Sequence, residues 1–221
     1  MARIFDCSAE SDLLPGMRLA RGAIGRGELV VLPTDTVYGV AADAFSPDAV
    51  QRLLDAKGRG RQSPPPVLVP GIPTLDALAE TVPDVVRELV TRFWPGPLTV
   101  ILPARPSLAW DLGETGGTVA LRMPDNRIAL ELLSETGPLA VSSANLTGQP
   151  PATRIQEAVD QLGDSIAVYL DGGPTPGPVP STILDATAHA AGTGPLRTVR
   201  AGVLTEDELR GVAGDALERS P

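Results

Sequence analysis

The chemistry this chain can carry is concentrated in four short polar segments, each at the end of an apolar run. Lys57-Gly58-Arg59-Gly60-Arg61 sets three cations on a glycine-rich turn. Such a turn can grip a polyphosphate, because glycine leaves room for backbone amides to reach an anion. The competing explanation is a helix C-terminus, where the macrodipole favours cations by about 0.3–1 kcal/mol each. Gly-x-x-x-x-Gly-Lys-Ser/Thr is absent, so this is not a Walker loop. Of the 18 basic residues, Lys57 is the only lysine, and the other 17 are arginine. An ammonium is a compact charge with three mobile donors, whereas a guanidinium is a planar fork. A site that needs the smaller group would resist replacement by arginine; chance survival of one lysine is the alternative.

The other three segments are less distinctive alone. Pro33-Thr34-Asp35-Thr36-Val37-Tyr38-Gly39 follows a buried run and can orient a small polar substrate or coordinate a bound cation, or simply cap the next element. Val141-Ser142-Ser143-Ala144-Asn145-Leu146-Thr147-Gly148 places Ser and Asn at i and i+2, where both can face one cleft; an ordinary polar turn has the same composition. Pro180-Ser181-Thr182-Ile183, with Arg200 on a later segment, can pair with an anion, although many such arginines are only solvated.

The elements that must hold these segments read as alternating helices and strands. Apolar spacing predicts helices over 8–26 (capped by Ser8 or Ser11 and closed by Gly27), 73–80, 83–93, 125–135 and 153–162. Ser46-Pro47-Asp48 starts a helix that Gly58 closes, and Thr205 with Glu208 forms a capping box for the last one. Strands are predicted at 28–32, 66–70, 97–102, 118–122, 139–142, 166–170, 181–185 and 196–200, with a Gly/Pro loop at 171–180. The pattern predicts an α/β, three-layer fold with a mixed, twisted open sheet flanked by helices. Strand ends are where such sheets bind ligands. We expect one catalytic domain over residues 1–215 and a frayed tail at 216–221.

Composition narrows the chemistry. The chain has 221 residues, 43% of them hydrophobic, enough for one sizeable core. A single Cys7 excludes an internal disulfide and a Cys-rich zinc site. His189 is the only histidine, which excludes a two-His metal centre; its Thr-Ala-His-Ala-Ala-Gly setting reads as an exposed loop. The net charge of −9 and seven aromatic residues speak against a general nucleic-acid coat or base-stacking platforms. No apolar run is long enough to span a bilayer, and the first residues do not read as a secretory signal, so we expect a cytoplasmic protein.

Taken in order, the segments resemble the YrdC-type L-threonylcarbamoyladenylate synthase family. The resemblance rests on the Pro33–Gly39 segment, Lys57-Gly58-Arg59, Phe93-Trp94-Pro95-Gly96-Pro97-Leu98-Thr99, Val119-Ala120-Leu121-Arg122-Met123-Pro124, Ser143-Ala144-Asn145, Ser181-Thr182 and Val199-Arg200-Ala201-Gly202. It implies a YrdC-like fold and a reaction in which ATP, L-threonine and bicarbonate or CO2 yield threonylcarbamoyl-AMP and pyrophosphate. The product would serve threonylcarbamoyladenosine modification of tRNA, through a separate transferase complex. By the same resemblance, Lys57 and Arg59 are the expected catalytic pair. Ser63, Ser143, Asn145, Thr153 and Arg200 join them as ATP contacts. Thr36, Arg122 and Ser181 are the expected threonine contacts. Mg2+ is expected through the ATP phosphates, with no dedicated protein metal site. Trp94 is expected to pack in the core and set its loop.

Some positions depart from the family pattern. After Lys-Gly-Arg stands Gly60-Arg61-Gln62-Ser63-Pro64-Pro65, Leu68 occupies a place where His is frequent, and Pro180 precedes Ser-Thr in place of Glu. The alternative from another class is an RNA-binding or ribosome-maturation module using a Lys57/Arg59/Arg61/Arg200 groove without ATP turnover. A carbamoyl-adenylate domain of the hydrogenase-maturation type is the third reading, and those proteins carry additional zinc-finger and acylphosphatase parts.

Overall fold

The computed structural model describes residues 3–219, and one mixed ten-stranded sheet runs through it. Its strands are β1 (Arg3–Asp6), β2 (Val30–Leu32), β3 (Gly39–Asp43), β4 (Val67–Leu68), β5 (Leu98–Pro103), β6 (Thr118–Arg122), β7 (Leu139–Ser143), β8 (Val168–Asp171), β9 (Thr182–Asp185) and β10 (Arg197–Arg200). The helices are α1 (Glu10–Gly25), α2 (Pro47–Lys57), α3 (Pro73–Leu78), α4 (Asp84–Phe93), α5 (Arg127–Thr136), α6 (Ile155–Leu162), α7 (Thr187–Ala190) and α8 (Glu206–Ala213). The strand order is β1-β8-β2-β3-β7-β4-β6-β5-β9-β10. The β1/β8, β2/β8, β4/β6 and β5/β9 pairs are parallel and the rest antiparallel.

Side-chain alternation explains the layers. Val30, Leu32 and Ala41 face α1 and α5, while Val31, Val40 and Ala42 face α2 and α6. In the other half of the sheet, Leu98, Val100, Leu102, Leu121 and Leu184 join α3, α4 and α8 in a third core cluster. Each such fully buried side chain contributes roughly 1.5–3 kcal/mol of transfer free energy. Their alternates, Thr99, Ile101, Ala120, Arg122 and Ile183, border a cavity on the opposite face. The site therefore lies where the period of two turns the strands away from the helices.

The predicted caps of α2 and α8 are present. Ser46 accepts from the Ala49 amide, Gly58 ends α2 at φ 60°, and Thr205 and Glu208 form their box. Elsewhere the structure corrects the reading. Neither Ser8 nor Ser11 caps α1: its N-cap is Ala9, and the Ser8 hydroxyl bonds Asp6 Oδ1. Strands β1 and β3 were not expected. β3 is Gly-Val-Ala-Ala-Asp, too small to look like a strand, yet α1 and α2 press on its two faces and leave space only for small residues. A Cβ on Gly39 would stand 2.6 Å from Val141 Cγ1 on β7. His189 lies on the short α7, half-buried, not on an exposed loop. The tail is anchored further than expected: Leu217 is buried, bridges to Leu196, and the Glu218 amide bonds the Leu196 carbonyl. Ser220 and Pro221 lie outside the described residues.

Candidate active site

A cavity of about 450 Å³ occupies the open face of β5, β6 and β9. That is the size of a small-molecule site. The loops at 64–66 and 112–118 wall one side, and Ser142, Ser143 and Asn145, from the end of β7 and the turn after it, wall another. Among the described residues three guanidiniums line it, Arg59, Arg122 and Arg200, and no carboxylate does. With Arg122 paired to Asp35, Arg59 and Arg200 leave this concavity positive in a chain of net charge −9.

Arg122, at the end of β6, is buried and held on three sides. Its Nε donates to the Gly96 carbonyl at 3.0 Å, Nη1 to Thr36 Oγ1 at 3.0 Å and Nη2 to Asp35 Oδ1 at 2.6 Å. Burial lowers its pKa against the opposing pull of Asp35, but a guanidinium stays charged at any working pH. A guanidinium has five N–H donors, so two remain for a ligand. The Gly96 contact explains Trp94: its buried indole donates to the Leu98 carbonyl at 2.7 Å and shapes the loop that presents Gly96. Asp35 Oδ1 also accepts from the Asp125 amide at 3.0 Å, while its buried Oδ2 has no partner.

On the far wall, Arg200 from β10 clasps Ser181 through three bonds, two to its carbonyl and one to Oγ at 3.0 Å. Ser181 Oγ lies 2.8 Å from Thr99 Oγ1. Burial lowers the Arg200 pKa, helped by the charges of Arg122 and Arg59, so the three cations feel one another. Gly202 makes this clasp possible: a Cβ there would collide with Pro180 O, Ser181 C and Thr182 N. Gly202→Ala is expected to push Ser181 off the Arg200 fork and to destabilise by about 1–3 kcal/mol. Urea denaturation measures the effect, and a cost under about 0.3 kcal/mol would refute the close-approach argument.

The Ser143–Asn145 turn is the third wall. Arg59 Nη1 donates to Ser142 Oγ at 2.9 Å, and among the described residues Arg59 has no carboxylate partner. Burial lowers its pKa too. Lys57 is 2% exposed and sits behind the turn, not in the cavity wall. Its Nζ donates to the Ser143 carbonyl, to the Asn145 carbonyl at 2.6 Å and towards Asn145 Oδ1 at 3.5 Å. Burial, assisted by the nearby Arg59 charge, lowers its pKa from 10.5 to about 8. The folded value is the depressed one, so the unfolded chain holds an extra proton between pH 8 and 10.5. This residue's contribution to stability therefore rises with pH across that window. Urea midpoints of wild type and Lys57→Met compared at pH 7.5 and 9.5 should show that increment in wild type only.

Of the residues expected from the sequence, Arg59, Ser143, Asn145, Arg200, Thr36, Arg122 and Ser181 all border the cavity. Lys57, Ser63 and Thr153 do not. Thr153 instead starts α6, its Oγ1 and amide both bonded to Glu157 Oε2. Ser63 closes a turn onto the Gly60 carbonyl. Arg61 is committed to Asp111 at 2.6 Å, so the Lys57/Arg59/Arg61/Arg200 groove of the RNA-binding alternative is not assembled. Leu68 borders the cavity as an apolar surface. The sequence reading missed Asp35, Thr99 and Ser142 as partners of site residues. Thr99 had a signal, a single polar residue among the apolar Leu98, Val100 and Ile101. Ser142 had none, since only folding brings it to Arg59.

Comparison with known proteins agrees with this geometry. Residues 22–202 match the Sua5/YciO/YrdC family model, whose description is telomere recombination. The chain is 50% identical over 203 residues to a Mycobacterium tuberculosis protein provisionally named threonylcarbamoyl-AMP synthase, covering 90% of this chain and 94% of that one. It is 39% identical to the Bacillus subtilis threonylcarbamoyl-AMP synthase, with 90% of this chain matched and 57% of the longer relative. The crystal structure of Pyrococcus abyssi Sua5 complexed with L-threonine superposes with a TM-score of 0.87 at 34% identity, over 97% of this chain and 61% of that one. Escherichia coli YciO shares the fold at a TM-score of 0.80 and 21% identity, over 95% and 98% of the two chains. This chain is a member of the Sua5/YciO/YrdC family.

Proposed function

We propose that this chain is an L-threonylcarbamoyladenylate synthase, forming threonylcarbamoyl-AMP and pyrophosphate from ATP, L-threonine and bicarbonate or CO2. The observation that carries the reading is the cavity walled by Arg59, Arg122 and Arg200 without a carboxylate. In this scheme the neutral threonine amine adds to CO2, releasing a proton to water, or to bicarbonate with loss of water, and either gives a carbamate. A carbamate oxygen then attacks the α-phosphorus of ATP, the bond from phosphorus to the bridging oxygen breaks, and pyrophosphate leaves. Both reactants are anionic, so fixed positive charge between them lowers the barrier. No histidine base is invoked, because both protons leaving the amine, one before attack and one after, can pass to water.

Arg122 offers its two remaining N–H groups to the threonine carboxylate, and Thr36 and Ser181 offer hydroxyls to its polar groups. Arg59 and Arg200 face the phosphates, and Ser143 and the Asn145 turn border the nucleotide. Apolar Leu68 offers the substrate packing, not a hydrogen bond. Among the described residues no cluster of His, Cys, Asp or Glu is suited to a metal ion. Asp35 is tied to Arg122. In this reading Mg2+ would come with ATP and would neutralise charge on its phosphates.

The product would pass to a transferase complex acting on tRNA, and we place the enzyme with those partners in the cytoplasm. No helix among the described residues is long and apolar enough to cross a membrane. The deciding experiment incubates purified protein with ATP, threonine and 13C-bicarbonate and looks for labelled threonylcarbamoyl-AMP by mass spectrometry. We expect product that depends on all three substrates. ATP-independent, steeply salt-sensitive RNA binding without product would overturn the proposal in favour of a binding module.

A further inference from the structure

We infer that Lys57 is a positioning residue: it clamps the turn at 143–147 from behind and acts on the nucleotide only through that turn. Four bonds join this one residue to the turn. The ammonium donates to Ser143 O, Asn145 O and Asn145 Oδ1, and the Lys57 carbonyl accepts from the Thr147 amide at 2.9 Å. All three ammonium protons are thus directed to oxygens of the turn, and the side chain is absent from the cavity wall. Asn145 is fixed from its other end as well, its Nδ2 donating to Leu146 O at 2.8 Å and Gln149 O at 2.9 Å.

The geometry answers why one lysine stands among seventeen arginines. Three acceptors converge on a single nitrogen in a buried space. A tetrahedral ammonium serves three such oxygens at once, whereas a planar guanidinium spreads its donors over three nitrogens and needs more room. A cation meant for an exposed phosphate would face no such constraint, since arginine binds phosphate well. The helix supplies the rest: Lys57 is the last residue of α2, and Gly58 in the left-handed conformation turns the chain so that Arg59 enters the cavity while Lys57 stays behind it.

Two measurements test the clamp. The first is a crystal structure of the wild-type protein with ATP bound. Nζ is expected to remain at roughly 3 Å from the Ser143 and Asn145 carbonyls. A Nζ that has swung onto a phosphate oxygen overturns the inference. The second compares wild type, Lys57→Arg and Lys57→Met by hydrogen exchange and steady-state kinetics. Amides at 143–149 should exchange faster in both variants. The KM for ATP should rise about 10–100-fold, the range expected for lost hydrogen bonds to a charged group, with the KM for threonine little changed. A fall in kcat alone, with exchange of the turn unaltered, would mean direct contact with the reacting atoms and would overturn it. The kinetic arm and the ATP-bound structure rest on the synthase reading, and hydrogen exchange does not. If wild type makes no threonylcarbamoyl-AMP, that reading fails while hydrogen exchange still decides the clamp. If neither variant folds, the ATP-bound wild-type structure decides it.

Discussion

Arg122→Met is expected to lose both stability and threonine-dependent pyrophosphate release. The guanidinium and Asp35 form a pair whose side chains are 8% and 13% exposed. Removing one partner of such a pair leaves the other charged in a place that cannot solvate it, at a cost of about 3–5 kcal/mol. Asp35 would keep only the Asp125 amide, and its Oδ2 already lacks a donor. The Thr36 hydroxyl and Gly96 carbonyl would lose their donors at the same time. The double variant Asp35→Asn/Arg122→Met removes both charges and should recover much of the stability but none of the activity. Urea denaturation and a pyrophosphate assay on the three variants, Asp35→Asn alone included, separate the two effects. A single Arg122→Met variant within about 0.5 kcal/mol of wild type would show that the pair is not the buried unit described here.

Arg59→Met is expected to do the reverse, removing activity while leaving the fold in place. Arg59 is half-exposed, and among the described residues its guanidinium bonds only Ser142 and no carboxylate depends on it. Its loss strands no buried charge. What disappears is the cation that the proposed scheme sets against the ATP phosphates during adenylyl transfer. Loss of one preorganised donor of this kind typically slows the chemical step about 10²–10³-fold. Ser142→Ala should have a milder effect in the same direction, because it frees Arg59 without deleting it. Single-turnover formation of the adenylate measures both, with urea midpoints as the folding control. Turnover by Arg59→Met within about threefold of wild type would remove Arg59 from the catalytic scheme.

Most of the frame was readable along the chain, because caps and periodicity are local. Ser46 and Gly58 bracket α2, Thr205 and Glu208 open α8, and the alternation in β5, β6 and β9 already separates core-facing from cavity-facing side chains. β3 was not readable, because its small residues are a response to helices on both faces and not a local preference. Thr153 shows the limit of motif register: just before α6 its hydroxyl bonds Glu157, a partner that register along the chain does not specify.

Residue types and their order along the chain determined the family, and a single His189 excluded a two-histidine metal centre. Those conclusions depend on what groups exist, and composition states that outright. Only the tertiary structure decided what each cation does. Arg122 is neutralised by Asp35, 87 residues away in the chain, Arg59 stays without a carboxylate partner, and Lys57 turns inward to three oxygens of a turn 86 to 88 residues further on. A charge takes its role from the partners and solvent around it, and those are assembled by long-range packing that no local pattern encodes.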